Sequence, residues 1–431
     1  MTARSSDPHQ RAVRAIVGDE RGAVLVLVAL ALIIVLLASA GLAIDLGRGY
    51  VTKARLSRAV DAAALAAARA LRTGEDVARR EALAVALANE VVVADGDIGF
   101  GTNDRGEDTV AVSALQRLPT IFMKVVGIDR MDVRASAEAA VPPLDIVLVV
   151  DISNSLCLAD AWGSLESAAT GFVDRFNDDI DQFGLVSFQI VAADLVELDQ
   201  PFKNEVTGQL EALRTAGDTN IQEGLRLARL QITNPALTRP NAAKVVVFFT
   251  DGRATAMRGN FGGQEQILAA RGTTLHRFED PDVIPHDAVV YTGNAPSDVC
   301  PEGEGGENTI GNWPGGCGGS SCLGWTLSAA RQEMGHRGLE AAEAIRQEDV
   351  LIYVIGLGNF DAPNVEPPDL DYLCQVANTD EIANPSENAE DCDATVNNSQ
   401  PEGKVYFAPT SAELQQVFQD VARDLIVRLA S

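Results

Sequence analysis

Histidine is nearly missing from this sequence, with four in 431 residues. They are His9, His276, His286 and His336, and all lie outside the oxygen-rich motifs described below. A general base or nucleophile beside a reacting centre is therefore not expected, and neither is an enzyme. A glycine-rich phosphate loop is also lacking, which removes nucleotide hydrolysis by the chain itself. Cysteine is sparse, and no Cys-x-x-Cys pair occurs among the six, which disfavours zinc held by thiolates. Basic residues are outnumbered, 34 Lys and Arg against 61 Asp and Glu, for a net charge of −27. A surface this acidic repels phosphate, so nucleic acid is excluded as a partner and a cation or metal ion suits it better.

That charge is unevenly spread. Residues 1–80 hold 12 Lys and Arg against 7 Asp and Glu, a net of +5, which leaves −32 for the remainder. Within the basic part, charge vanishes from Ala23 to Ile44. As a helix that run is long enough to cross a hydrocarbon core of about 30 Å. Ser39 is its one polar side chain, whereas a buried amphipathic helix shows polar residues every three or four positions. A cytoplasmic tail over 1–22 and a transmembrane helix over 23–44 are expected.

Orientation is finely balanced, because Arg4, Arg11, Arg14 and Arg21 precede the span while Arg48, Lys53, Arg55 and Arg58 follow it. The cysteines decide. Cys157, Cys300, Cys317, Cys322, Cys374 and Cys392 all follow the span, and their even number suits disulfides in an oxidising compartment. Single-pass anchoring in a bacterial cytoplasmic membrane, with the bulk outside, is the expectation. Cys374 with Cys392 is favoured as a local pair and Cys157 is a candidate tether to a later insertion, the remaining connectivity being open. A cleaved signal peptide ending at Ala38-Ser39-Ala40 is the rival. Against it, helical character continues without proline through an extension placed at 45–90. A helix unbroken from Ala23 to Leu71, about 49 residues, would reach roughly 73 Å.

Residues 91–141 read as a small α+β module, with DTVAVSA and MDVRASAEAAV alternating as strands do and LPTIFMKVVG a short helix between them. Pro142-Pro143 then punctuates the chain. Beyond it, LDIVLVVD has the continuous apolar run of a strand buried on both faces, which implies a parallel sheet covered by helices. Asp151-Ile152-Ser153-Asn154-Ser155 follows at its carboxyl end, where doubly wound folds bind ligands. Thr219 lies at the start of an amphipathic helix, and KVVVFFT is a second buried strand ending on Thr250-Asp251-Gly252.

Asp-x-Ser-x-Ser, then Thr, then Thr-Asp-Gly resembles the von Willebrand factor A (VWA) domains that carry a metal-ion-dependent adhesion site (MIDAS). The resemblance implies a mainly parallel, doubly wound, Rossmann-like α/β sheet over 144–431, with insertions at about 254–326 and 360–403. It also implies a metal site of Asp151, Ser153, Ser155, Thr219 and Asp251. Hydroxyls and carboxylates suit Mg²⁺ or another hard divalent cation such as Mn²⁺ or Ca²⁺. An acidic side chain of a protein ligand would complete the coordination. Asn154 stands where many relatives have glycine, and Asn tolerates a left-handed backbone there.

The run from Glu20 to Leu71, with its Arg-Gly start, apolar span, Asp-Leu-Gly-Arg exit and DAAALAA helix, resembles the N-terminal segment of TadG-related Tad (tight adherence/Flp) pilus-assembly proteins. Prepilin-type processing would want a Glu five residues after Gly18, where Ala23 stands, so an anchor retained intact is expected. The two resemblances imply a membrane-anchored, metal-dependent protein-binding component of Tad pilus assembly or adhesion. A free-standing surface adhesin and, from another class, a metal-dependent hydrolase are the alternatives. A cytoplasmic chaperone-like partner of an ATPase is disfavoured by the span and the cysteines.

Overall fold

The computed structural model describes residues 20–428 except 105–106, 216, 262, 272–273, 280–320, 359–367 and 387–388. Most of the tail expected over 1–22, with His9, His286, Cys300 and Cys317, lies outside the described residues. The chain forms two compact units. One holds residues up to Ala70, Glu75–Gly101 and Thr109–Ala139, and the other holds Leu71–Gly74, Thr102–Asp108 and Ala140 onward.

In the first unit, helix α1 runs from Glu20 to Leu71, 52 residues without a break. Its apolar half has a mean hydropathy of 3.0 over its best window, and the side chains from Val24 to Leu37 lie exposed, as lipid-facing residues would. Past Ile44 the helix changes character. Leu56, Ala59, Val60, Ala63, Ala64, Ala67 and Ala68 recur at three- and four-residue spacing and are all buried, a single packed face built from small side chains. The helix ends at Leu71, as far as an unbroken helix was expected, and the helical extension over 45–90 continues past a turn. Gly74 adopts φ +126°, which side-chain-bearing residues rarely take, and a separate helix α2 spans Glu75–Ala88.

Strands β1 (Ile98–Thr102), β2 (Asp108–Pro119) and β3 (Arg130–Val141) form a three-stranded sheet in the order β1-β2-β3. Between β2 and β3 the expected short helix is a 3-10 turn, Met123–Val126. This turn docks on α1. The Asp45 carboxylate accepts the backbone N–H groups of Ile121, Phe122 and Met123 at 2.8–2.9 Å. One helical turn to either side, Gly41 and Gly49 are buried, and a Cβ on them would stand 2.6 Å from Phe122 Cγ and 2.5 Å from Met131 Cε. Gly41, Asp45 and Gly49 thus form one stripe at four-residue spacing, and the two glycines allow the approach that lets the carboxylate reach.

The second unit is built on an eight-stranded sheet. Its strands are β4 (Leu144–Asp151), β5 (Gln182–Phe188), β6 (Ala192–Asp199), β7 (Ala243–Thr250), β13 (Leu351–Leu357), β14 (Glu381–Ser386), β15 (Ala389–Asp391) and β16 (Lys404–Ala408). Their order is β15-β14-β16-β13-β7-β4-β5-β6, and every pairing is parallel except the two outermost, β14 with β15 and β5 with β6. All eight residues of β4 are buried. Ile146, Leu148 and Val150 join one core with helices α4 (Trp162–Val173), α5 (Lys203–Ala212) and α9 (Leu414–Arg428). Val147 and Val149 join the opposite core with α6 (Ile221–Ile232), α7 (Leu327–Arg346) and α8 (Leu370–Ala377). A strand covered on both faces is apolar along its middle, here Ile146 to Val150, which is why its sequence does not alternate.

Both stretches read as insertions contain regular structure. Within 254–326, β8 (Ala256–Phe261), β9 (Gln264–Arg271) and β10 (Thr274–Glu279) form an antiparallel sheet, and β11 (Ser321–Cys322) pairs with β12 (Trp325–Thr326). Within 360–403, α8 and β14 are part of the doubly wound body, since β14 pairs parallel with β16. Cys374 of α8 is bonded to Cys392, the pair favoured from their spacing.

Candidate metal centre

Strands β4 and β7 are neighbours in register, Val150 opposite Phe249, so Asp151 and the Thr250-Asp251 corner emerge side by side at their carboxyl ends. Past β4 the chain turns at Ile152–Asn154 into the short helix α3 (Ser155–Leu158). The turn is held by the Ser153 N–H donating to Asp151 Oδ1 at 2.8 Å and the Asn154 N–H to the Gly217 carbonyl at 3.3 Å. Asn154 sits at φ −65°, ψ −18°, an ordinary right-handed conformation, so the tolerance for a left-handed backbone expected of it is not used.

Four of the expected residues meet directly. Ser155 Oγ donates to Asp251 Oδ1 at 2.8 Å, and Ser153 Oγ lies 2.9 Å from Ser155 Oγ and 3.5 Å from the same Oδ1. Thr219, in the loop before α6, lies beside the Thr-Asp-Gly corner, its hydroxyl 3.6 Å from where a Cβ on Gly252 would stand. Asp151, Ser153, Thr219 and Asp251 are buried, and Ser155 is half-buried.

Two contributors were not legible as such. Thr250 Oγ1 donates to Asp151 Oδ2 at 2.6 Å, so the threonine of Thr-Asp-Gly fixes the first aspartate. Thr255 Oγ1 accepts the Thr219 N–H at 2.8 Å, while the N–H groups of Thr255 and Ala256 donate to the Thr219 carbonyl at 2.8 and 3.1 Å. Thr219 is therefore clamped by the segment leading into β8. The Thr-Asp-Gly motif pointed to the first of these; nothing in the spacing pointed to the second.

Burial and mutual repulsion dominate the electrostatics of the two aspartates. Burial pushes the Asp251 carboxyl well above the usual carboxylate range, and the Asp151 charge raises it further. Burial likewise raises Asp151, against the hydrogen bonds from Thr250 and Ser153. Asp251 Oδ2 is buried and meets no hydrogen-bond donor. A buried carboxylate oxygen without a donor, beside a second carboxylate, is costly unless a positive charge offsets it. Three hydroxyl oxygens and two carboxylates fit a hard, oxygen-seeking divalent ion. Among the described residues no group of three or more His, Cys, Asp or Glu is assembled, so a thiolate or imidazole zinc cluster has no counterpart there.

Residues 145–278 match the von Willebrand factor type A domain. That span takes in all five candidate ligands, and the second unit is a VWA fold. Residues 22–70 match the Flp pilus-assembly TadE/G-like family, so the chain joins a Tad-type helix to a VWA domain. No curated protein matches the chain. Similar solved structures include proximal thread matrix protein 1 from the mussel byssus with a zinc-occupied MIDAS motif, at 18% identity, TM-score 0.37, 66% of this chain and 46% of that one. The pilus adhesin SpaC from Lactobacillus rhamnosus GG in its open conformation is similar at 13% identity, TM-score 0.38, 76% of this chain and 33% of that one. The vWF domain of the type V pili tip protein Mfa5 from Porphyromonas gingivalis is similar at 17% identity, TM-score 0.38, 67% of this chain and 96% of that one. The match spans less than half the length of the byssus protein and about a third of the adhesin.

Neither described histidine bonds to this site. His276 lies on β10 with Nε2 2.9 Å from Thr274 Oγ1, and His336 is exposed on α7, 3.2 Å from Glu340. Cys157 of α3, two residues from Ser155, is disulfide-bonded, and so is Cys322. With Cys374 and Cys392 bonded to each other, every cysteine left for Cys157 (Cys300, Cys317 or Cys322) falls within 254–326. The metal-loop helix is thus tied covalently to the first insertion.

Proposed function

We propose that this chain is a membrane-anchored, metal-dependent protein-binding component of Tad/Flp pilus assembly or adhesion. The observation that carries the reading is the buried, undonated Oδ2 of Asp251, on a carboxylate that feels the charge of Asp151 and whose other oxygen is met by the Ser153 and Ser155 hydroxyls. Ser153, Ser155 and Thr219 would hold the ion, with Asp151 and Asp251 binding it directly or through water. Mg²⁺ is the favoured occupant, with Mn²⁺ or Ca²⁺ able to replace it. When bound, the ion supplies an electrophilic position that a carboxylate of the protein ligand can fill. The domain's own residues would hold and orient the ion.

The Tad-type helix supplies the setting. Anchoring by one uncleaved span, with the VWA domain outside the cytoplasmic membrane, is supported by the disulfides and by the continuity of α1 through the small-residue stretch Ala38–Ala40. The test is affinity capture of the full-length chain from cells, with and without chelator, beside an Asp151→Ala variant. Partners should be lost in both the chelated and the variant samples. An identical bound set in all three would refute metal-dependent recognition.

A further inference from the structure

The 3-10 turn between β2 and β3 presents an apolar surface that the VWA reading leaves unused. Ile121 is 54% exposed, Phe122 43%, Val125 88% and Ile128 42%, four large apolar side chains within eight residues. Scattered exposed apolar residues are ordinary, but a contiguous group on one loop marks a surface that something covers. Position in the unit says what. Phe122 rests on Gly41, three residues inside the end of the uncharged run at Ile44, which is about 4.5 Å along the helix axis. Asp45, the first charge after that run, holds the N–H groups of Ile121, Phe122 and Met123.

The backbone of the turn is prepared for a medium poor in water. Besides the three amides on Asp45, Thr120 N–H donates to Asp129, Val125 N–H to Phe122, Gly127 N–H to Lys124 and Ile128 N–H to Met123, all at 3.0–3.1 Å. The Thr120 hydroxyl donates to the Ile128 carbonyl at 2.5 Å. Backbone donors left open would bar a loop from the edge of a bilayer, and these seven amides are closed internally. Lys124 is exposed among the apolar residues, a side chain whose stem can lie along lipid while its ammonium reaches headgroup phosphates.

We infer that the Thr120–Ile128 turn is a second membrane contact, inserting Ile121, Phe122, Val125 and Ile128 into the bilayer interface beside the transmembrane helix. Interfacial segments of this kind bury their apolar side roughly 5–10 Å into the headgroup and acyl boundary, which matches the level set by Gly41 and Asp45. The inference rests on α1 spanning the membrane. It fixes the module's lower edge against the lipid surface and limits tilting of the span relative to that edge.

Full-length protein in nanodiscs of phosphatidylethanolamine and phosphatidylglycerol, with or without acyl-brominated analogues, tests it through tryptophan emission measured relative to the parent chain. Val125→Trp reports the turn and Leu36→Trp the span. Val92→Trp reports a site beside Glu90, whose carbonyl is bonded by Arg55, eleven residues or about 16 Å beyond Ile44. Val92 is 82% exposed, so tryptophan is accommodated there. Bromolipid should quench Val125→Trp and Leu36→Trp to a comparable degree and leave Val92→Trp unchanged. Quenching of Leu36→Trp alone would overturn the inference while keeping the anchor, and the turn would then face water or protein. Quenching of neither would overturn the anchor as well. Equal quenching of all three would deny the turn any special contact.

Discussion

Asp251 accepts Ser155 and Ser153 through one oxygen and nothing through the other, while Asp151 spends both of its oxygens on Ser153 and Thr250. The two carboxylates therefore differ in what they ask of a ligand. Asp251→Asn keeps the shape, removes the mutual repulsion and supplies an N–H₂ in place of one oxygen. The metal-free variant should melt higher than the metal-free parent, by about 2–4 °C for each kcal/mol of relief, yet gain nothing from divalent cation. The parent should gain about 2.7 kcal/mol at a hundredfold excess over the dissociation constant. Calorimetric melts with Mg²⁺ and with EDTA decide it, and equal cation responses would remove Asp251 from the ligand set. Thr250→Val deletes the hydroxyl that orients Asp151, and should weaken cation binding about 10–100-fold by titration calorimetry without unfolding the domain. Unchanged affinity would leave Thr250 a structural role only.

At this scale the sequence was informative where chemistry is local. Asp151, Ser153 and Ser155 lie within one turn, and Asp251 directly follows a strand whose apolar run names its place in the sheet. Thr255 and Asp45 were silent for the opposite reason. The first acts on a backbone 36 residues away and the second on amides 76 to 78 residues away. Neither distance leaves a pattern in a single chain.

Among the elements, the docking of α1 on the β2–β3 turn depends on two glycines of unequal importance. A Cβ at Gly41 would press on Phe122 Cβ, Cγ and Cδ1, which cannot move without the turn, whereas at Gly49 it would meet the flexible tip of Met131. Gly41→Ala should therefore cost about 1–3 kcal/mol of module stability and Gly49→Ala less, read as hydrogen-exchange protection of β2 and β3 in detergent. Equal protection in both variants would mean that the turn is not held by this contact. The Cys157 bond makes a second prediction at this scale. Peptide mapping without reduction should link Cys157 to a peptide carrying Cys300, Cys317 or Cys322, and Cys157→Ser should expose one new thiol there. Recovery of Cys157 as a free thiol would contradict it. The insertion itself was only half legible. Its glycines, prolines and acids read as loop, but Ala256–Glu279 closes into a three-stranded sheet whose Met257, Leu268 and Leu275 join the core beside α6 and α7.

For the whole molecule, the doubly wound body followed from apolar runs that only a two-sided cover permits, and the long apolar helix from a run without charge. The turn at Gly74 leaves no mark in composition, because alanine-rich helix lies on both sides of it. The proposed topology carries a prediction at this scale. Protease added outside spheroplasts should degrade the VWA domain and spare a fragment containing α1, and the opposite pattern would place the domain in the cytoplasm.

The unbroken run of α1 through Gly41, Asp45 and Gly49 has a last consequence. A helix without a hinge transmits rotation about its axis one for one, and the stripe that grips the β2–β3 turn lies on a single side of it. A neighbouring transmembrane helix that selects one azimuth of the span therefore also selects the compass direction in which the module faces. Packing inside the lipid would thereby be read out as heading above it.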